Sequence, residues 1–135
     1  SDAHAMCELD FDNLNAEKHF DWLNAYGLSK LGNMYMAYEL ADRLQGTGVV
    51  ANCLHPGDVD TKMQRSTTTD KGISTALGAA TSVYLSSSPE SENINGKYFI
   101  DMKATPSCDL SYDNENRKNF WAISEESLKP FWIND

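Results

Sequence analysis

The most extended pattern of apolar positions in the chain predicts a helix over residues 23–45. Apolar side chains recur there three and four positions apart, which is the spacing of a helix face, and the interior contains neither proline nor a β-branched residue. Gly46 stands where glycine commonly ends a helix. The apolar arc is wider than one stripe, so we expect the helix to be buried on two sides, for example by a sheet and by a neighbouring subunit.

Two shorter apolar segments predict β-strands. Residues 49–54 are mostly apolar without strict alternation, which is typical of a parallel strand covered on both faces, and Pro56 and Gly57 end the segment. Residues 97–100 follow Gly96 and predict a second strand.

Two more helices are predicted in the second half of the chain, over about residues 73–86 and 114–128. The first stops before Pro89, because the residue ahead of a proline disfavours helical geometry. The second carries Phe120 and Trp121 among its apolar contacts. The remaining segments are polar and predict surface loops, over residues 1–20, 58–70 and 103–112.

The alternation of helices and strands predicts an α/β layered fold with a parallel sheet. Parallel strands need cover on both faces, and a sheet of two strands leaves both of its edges unpaired. We therefore expect further strands upstream and interpret residues 1–135 as part of a single domain. The sequence shows no internal repeat and no linker that would divide it.

The charge of the chain narrows the range of partners. A net charge of −9 opposes binding to the phosphates of nucleic acids and to an anionic membrane surface. No apolar run approaches the roughly 20 residues that a membrane span needs, and no signal-peptide pattern opens the sequence. These features predict no nucleic-acid partner, no membrane contact from this segment and a cytoplasmic location, with any membrane anchor lying upstream.

Cysteines and histidines are scattered along the chain. The three cysteines form no CxxC pair, and the three histidines show no HExxH or HxH spacing. Because closed zinc sites need such clustering, we predict no metal site. An odd, scattered set of cysteines fits a reducing compartment better than a disulfide framework.

The strongest chemical signal is the pair Tyr26 and Lys30. The two residues are four positions apart on the predicted helix, so they share a face. An ammonium one turn from a phenol favours the phenolate, which allows a tyrosine to act as a general acid and base. The same spacing also occurs in ordinary surface pairs, so its meaning depends on context. Ser29 and His55 are interpreted as a surface hydroxyl and a packing group.

That context is a series of motifs that resembles the short-chain dehydrogenase/reductase family. The series contains Ser1-Asp2-Ala3-His4, Tyr26-x-x-Ser29-Lys30, His55-Pro56-Gly57-Asp58-Val59-Asp60-Thr61, Gly78-Ala79-Ala80-Thr81 and Gly96-Lys97-Tyr98-Phe99. Its order is similar to that of the retinol dehydrogenases and the WW-domain-containing oxidoreductase, and it covers nearly the whole chain. The resemblance implies the carboxy-terminal half of a Rossmann-like, doubly wound parallel sheet with three α/β/α layers.

The resemblance also implies roles for individual residues. Tyr26 exchanges a proton with the substrate oxygen, Lys30 supports the phenolate and hydrogen-bonds the nicotinamide ribose, and Ser1 holds the substrate oxygen. The residues expected to bind the cofactor are Tyr26, Lys30, Pro56, Gly57, Val59 and Thr61. The reaction implied is hydride transfer between NAD(P) and a small apolar alcohol or carbonyl compound, with NADP favoured over NAD.

Three departures from the family limit this expectation. The sequence has no glycine-rich turn to seat a diphosphate, the upstream asparagine of the family's proton relay is absent, and the segment between Thr61 and Gly78 is short. We therefore expect the chain to be inactive by itself. The alternative is a non-catalytic, truncated interaction protein that pairs with a full-length relative through the helix over 23–45. A homodimer of the chain through the same helix is also expected.

Overall fold

The computed structural model describes residues 1–132 and shows an α/β arrangement that agrees with the predicted fold class. Four helices and three strands follow one another in the order helix, strand, helix, helix, strand, strand, helix. They are α1 (Trp22–Arg43), β1 (Cys53–His55), α2 (Lys62–Thr67), α3 (Thr75–Ser87), β2 (Tyr98–Ile100), β3 (Lys103–Thr105) and α4 (Asn114–Leu128).

The strands form one small mixed sheet in the order β1-β2-β3. β1 and β2 run parallel, with Leu54 opposite Phe99, and β3 runs antiparallel to β2, with Phe99 opposite Ala104. The central strand β2 contains the most buried residue of the sheet, Phe99, which is only 1% exposed. Its two neighbours cover both of its edges.

The strand β3 corrects the predicted loop over 103–112. The turn before it places Asp101 and Met102 at φ of 48° and 61°, a conformation that hairpin turns share but that usually selects asparagine or glycine. The Met102 N–H donates to the Thr81 hydroxyl oxygen at 3.2 Å, which fixes this turn against α3. A contact with α3 therefore holds the turn, and no asparagine or glycine marks it. The sequence did not predict β3 for this reason.

The predicted strand over 49–54 is wrong in its first four residues. Within residues 49–54, only Cys53 and Leu54 pair with β2. Amide side chains hold the residues ahead of them. Asn52 accepts from the Lys97 N–H at 2.9 Å, and Asn95 accepts from the Ala51 N–H at 2.9 Å. Val49 and Val50 are 53% and 40% exposed, so this apolar segment is not buried within the described part of the chain.

Two clusters pack on adjacent parts of the buried face of α1. Asp21 begins the helix by accepting from the Asn24 N–H at 2.7 Å. One cluster contains Leu28, Leu31 and Tyr35 with Phe120 of α4, and the other contains Met34, Tyr38 and Tyr98 with residues of the sheet. The second cover that we assigned to a neighbouring subunit is therefore supplied by α4 of the same chain.

The predicted loops over 1–20 and 58–70 both contain helical turns. Residues 2–6 form a 3₁₀ helix in which Ala3 and His4 are buried against α1. The approach is so close that a Cβ on Gly27 would lie 2.8 Å from the Ala3 carbonyl oxygen, so only glycine fits there. The second loop contains α2. Polarity alone does not distinguish a loop from a short capped helix, which explains both corrections.

Candidate active site

Tyr26 and Lys30 lie on the first turns of α1 and face the same direction. The Lys30 ammonium lies 5.1 Å from the centre of the Tyr26 ring, within the range of a cation–π contact. Tyr26 is 36% exposed, so a ligand can reach its hydroxyl. The pair is accessible and preorganised, because both residues belong to one rigid helix.

Ser1 lies beside β1, and three hydrogen bonds fix it. Its nitrogen donates to the Leu54 carbonyl oxygen at 3.0 Å, and its hydroxyl oxygen accepts from the Ala3 N–H at 3.3 Å.

The third bond comes from His4, a residue that sequence reasoning considered only as a metal ligand. His4 is 4% exposed, and its Nε2 accepts from the Cys108 N–H at 3.1 Å. Since Nε2 is an acceptor, Nδ1 carries the proton and donates to the Ser1 carbonyl oxygen at 2.7 Å. The ring thus bridges the Ser1 segment and the segment ahead of α4. No sequence pattern around His4 predicts this bridging role.

The segment after β1 has two notable backbone features, at Gly57 and at Val59. Gly57 has a φ of 83°, which favours glycine, and a Cβ there would lie 2.9 Å from Ile73 Cδ1. Val59 forms a parallel bridge with Ile73 through the Asp58 carbonyl and the Asp60 N–H. In a parallel bridge of this kind the N–H and C=O of the middle residue point to the opposite side. Val59 therefore offers one donor and one acceptor away from Ile73.

Thr61 begins α2. Its hydroxyl oxygen accepts from the Gln64 N–H at 3.2 Å, which leaves the hydroxyl hydrogen available as a donor. Pro56 is exposed beside Gly57. These residues lie at the end of β1 and at the start of α2, so one loop carries them.

His55 is the last residue of β1, and its contacts are those of a packing group. Its Nε2 lies 3.7 Å from an Asp2 carboxylate oxygen, and its side chain is 14% exposed. Its Nδ1 is buried and has no hydrogen-bond partner among the described residues. This geometry agrees with the interpretation of His55 as a packing group.

The site residues fit the nicotinamide end of a dinucleotide cofactor. An adjacent N–H and C=O, as Val59 presents them, match the acceptor and donor of a carboxamide. The Lys30 ammonium suits a ribose hydroxyl. Nothing comparable is available for a diphosphate, because the sequence contains no glycine-rich turn. Within residues 1–132, no cluster of three or more metal-ligating side chains occurs.

The cavity of about 500 Å³ between α1 and α4 is separate from this site. It is lined by apolar residues such as Leu28, Met36 and Ile123, together with Ser29, and it contains neither Tyr26 nor Lys30. None of the predicted site residues lines this cavity.

Comparison with known proteins identifies the family to which this α/β fold belongs. The family model of the short chain dehydrogenases matches residues 13–72. The chain belongs to the short-chain dehydrogenase family. This membership confirms the resemblance that the motifs indicated.

Individual relatives support the same assignment. The chain is 36% identical to human retinol dehydrogenase 14 over 131 residues, which are 87% of this chain and 39% of that protein. It is 33% identical to mouse retinol dehydrogenase 12, over 96% of this chain and 44% of that protein. It is also 33% identical to the WW domain-containing oxidoreductase of Pongo abelii, over 93% of this chain and 33% of that protein.

The chain thus spans less than half the length of these relatives. In the part of the chain that the structure describes, no helix is long and apolar enough to cross a membrane.

Proposed function

We propose that this chain carries the catalytic residues of an NAD(P)-dependent oxidoreductase that transfers a hydride between the nicotinamide and an apolar alcohol or carbonyl compound. The observation that carries the proposal is the Tyr26–Lys30 pair, with the ammonium 5.1 Å from the phenol ring. Membership in the short-chain dehydrogenase family supports it.

Tyr26 moves the proton in this mechanism. In the oxidation of an alcohol, its phenolate oxygen accepts the hydroxyl proton, and in the reduction of a carbonyl, its phenol returns a proton to the oxygen. The Lys30 ammonium lies 5.1 Å from the centre of the Tyr26 ring, so a positive charge stands next to the group that moves the proton. When bound, the nicotinamide ring accepts or supplies the hydride.

Ser1 orients the substrate oxygen. Its hydroxyl oxygen already accepts from the Ala3 N–H, so its own hydrogen remains to donate to that oxygen. The donor is fixed by the bonds to Leu54 and His4, which limits its freedom before substrate arrives. A preorganised donor stabilises developing charge without reorganisation at the moment of reaction.

The loop after β1 holds the nicotinamide. Pro56 and Gly57 lie against the ring, the Val59 N–H and C=O pair with the carboxamide, and Thr61 donates to the carboxamide or the diphosphate. Lys30 binds the ribose and so acts on both cofactor and Tyr26. We place NADP ahead of NAD on the resemblance to the family alone.

The substrate class is apolar. Two relatives are named retinol dehydrogenases, and retinol is a long apolar alcohol. In this chain Met63 on α2 and Ile73 are 65% and 39% exposed next to the candidate cofactor loop. These exposed apolar side chains suit a hydrocarbon substrate better than a polar one.

These 135 residues alone are expected to be inactive, because nothing in their sequence seats a cofactor diphosphate. The first test is titration of the purified chain with NADH and NADPH, followed by protein fluorescence. We expect no saturation in the micromolar range. Saturable binding would show that the chain forms a complete cofactor site.

The second test joins the chain to the preceding cofactor-binding half of a relative, such as human retinol dehydrogenase 14. We expect oxidation of apolar alcohols to appear in the joined protein. Tyr26→Phe should lower its rate at least about 100-fold, which is the typical contribution of a general acid or base. Lys30→Met should lower it as well.

Tyr84→Phe and Lys118→Met are the matched controls, because they alter the same residue types elsewhere on the surface. Neither change should affect the rate. Equal losses in controls and site variants, in folded protein, would contradict the assigned roles.

The alternative function is a non-catalytic partner of a full-length relative. It is favoured by exposed apolar side chains on α3, since Leu77 and Val83 are 64% and 60% exposed. The expected homodimer through α1 would use the cavity between α1 and α4. Sedimentation of the chain, alone and with a full-length relative, distinguishes the alternatives: a stable mixed complex that never turns over supports the non-catalytic partner.

A further inference from the structure

Two of the three cysteines share one hydrogen-bond acceptor. The Cys7 and Cys108 thiols, far apart in sequence, both contact the His4 carbonyl oxygen, at 3.5 Å and 3.7 Å. The two sulfur atoms therefore lie on one small surface around a single oxygen. Both side chains are partly exposed, and each Cys residue packs against the same apolar cluster of α1.

We propose that Cys7 and Cys108 are a reversible disulfide-forming pair, a modification site independent of the hydride-transfer chemistry. The sulfur atoms must approach to about 2 Å to form the bond. Because both sulfur atoms lie within 3.7 Å of the same oxygen, rotation of the two side chains can bring them toward each other. The pair requires no third ligand, and no metal cluster occurs among residues 1–132.

The location gives the bond a structural consequence. Cys7 lies against Gly27, next to Tyr26, since a Cβ on Gly27 would be 2.9 Å from Cys7 Cβ. Cys108 precedes α4, and its N–H donates to His4. The disulfide ties the Ser1 segment covalently to the segment ahead of α4, which the His4 ring already joins by hydrogen bonds.

The oxidant is a low-molecular-weight disulfide such as oxidised glutathione. One cysteine thiolate attacks it, forms a mixed disulfide and releases one glutathione thiolate. The second cysteine thiolate then attacks the protein sulfur of that mixed disulfide and releases the second glutathione. Two protons leave the protein thiols, and the two electrons reduce oxidised glutathione to two molecules of glutathione.

Cys53 provides an internal control. Its thiol contacts the Lys97 carbonyl oxygen at 3.7 Å, and it packs in the other cluster, with Met34 and Tyr38. Burial raises the pKa of both Cys53 and Cys7, so thiolate formation does not distinguish them, but among the described residues Cys53 shares its acceptor with no other thiol. Cys53 should therefore remain a thiol while the pair is oxidised.

The test treats the reduced chain with oxidised glutathione and follows it by intact mass, thiol alkylation and peptide mapping. We expect the loss of two hydrogens per chain, a linked Cys7–Cys108 peptide and one remaining alkylatable thiol at Cys53. The unmodified mass should return on addition of dithiothreitol. Oxidation should also raise the urea concentration at the unfolding midpoint, because the bond closes a long loop.

Variants make the assignment specific. C7S and C108S should each abolish the loss of two hydrogens, and C53S should leave it unchanged. Circular dichroism checks the fold, and C7A and C108A replace any serine variant that does not fold. A linked peptide that contains Cys53, or stable glutathione adducts on Cys7 or Cys108 without a link, overturns the proposal. The oxidation experiment contains no nicotinamide cofactor, so neither result tests the proposed oxidoreductase function.

Discussion

The Tyr98 side chain combines a well-packed ring with a buried hydroxyl. The ring is 3% exposed, lies in the cluster under α1 and meets the His4 ring edge-on at 5.1 Å between centres. Its hydroxyl is buried and has no hydrogen-bond partner among the described residues. A buried polar group without a partner carries a desolvation cost, so this hydroxyl does not stabilise the chain as described.

The change Tyr98→Phe tests that conclusion. It keeps the ring and removes the unpartnered hydroxyl, so we expect the free energy of unfolding to rise by about 1 kcal/mol. Urea unfolding followed by fluorescence measures it. Tyr35→Phe is the matched control, because the Tyr35 hydroxyl donates to the Leu110 carbonyl oxygen at 3.0 Å and its loss should lower stability. A loss for Tyr98→Phe would indicate an acceptor outside the described residues.

The interface between α1 and α4 depends on a buried carboxylate as well as on apolar contacts. Glu39 is 5% exposed and accepts from Arg43 at 2.8 Å and from Arg117 of α4 at 3.1 Å. Arg117 also pairs with Asp42, and Arg43 lies 4.4 Å above the Trp121 ring. Two arginines thus share the charge of one buried acid, and this fixes α4 across α1.

Removing Arg117 should destabilise the chain strongly. In Arg117→Met, the aliphatic part remains, but Glu39 and Asp42 lose a partner, and breaking a buried ion pair typically costs about 3 kcal/mol. Urea unfolding measures the change. Arg65→Met is the control, since Arg65 pairs with Asp60 at 2.8 Å on the surface. Exposed pairs contribute less than about 1 kcal/mol, so similar losses for both variants would contradict the assignment.

At the scale of the whole molecule, the clusters around α1 bury several groups that ionise at alkaline pH. Burial is the main cause of the raised pKa of the Tyr35 and Tyr38 hydroxyls. It also raises the pKa of Tyr98 to about 12 and that of Cys53 to about 11. Tyr112 moves in the other direction, because a hydrogen bond with Ser107 lowers the pKa of its hydroxyl.

This pattern predicts alkaline destabilisation. In the unfolded chain the cysteine and tyrosine groups ionise near their ordinary values of 9.0 and 10.0, whereas in the folded chain they keep their protons to higher pH. Their stabilising contribution is therefore complete below the unfolded pKa values and is lost as pH rises through the folded ones. We expect the free energy of unfolding to fall steadily from about pH 9 upward.

Urea unfolding at a series of pH values measures this dependence. The Tyr98→Phe and Cys53→Ala chains should each lose less stability over the same range, because each lacks one of the groups. A free energy of unfolding that stays constant across the range would show that these groups ionise alike in both states.

Sequence periodicity predicted the helices well, because a helix face and its caps are local features. α4 begins and ends where the pattern placed it, and α1 begins one residue before the predicted range and ends two before its limit. The Tyr26–Lys30 pair was equally local, since four residues of helix bring them to one face. The class of fold followed from the alternation of these elements.

The remaining features depend on contacts between residues that are distant in sequence, so no local pattern encodes them. The strand β3 forms because its turn is fixed by Thr81, and the strand before Pro56 is short because Asn52 and Asn95 replace its ladder. The sequence by itself determined α1, α3 and α4, the family, and the spacing that puts Tyr26 and Lys30 on one helix face. Only the tertiary structure brought Cys108 to His4 and Cys7, because their proximity results from how the segments pack around α1.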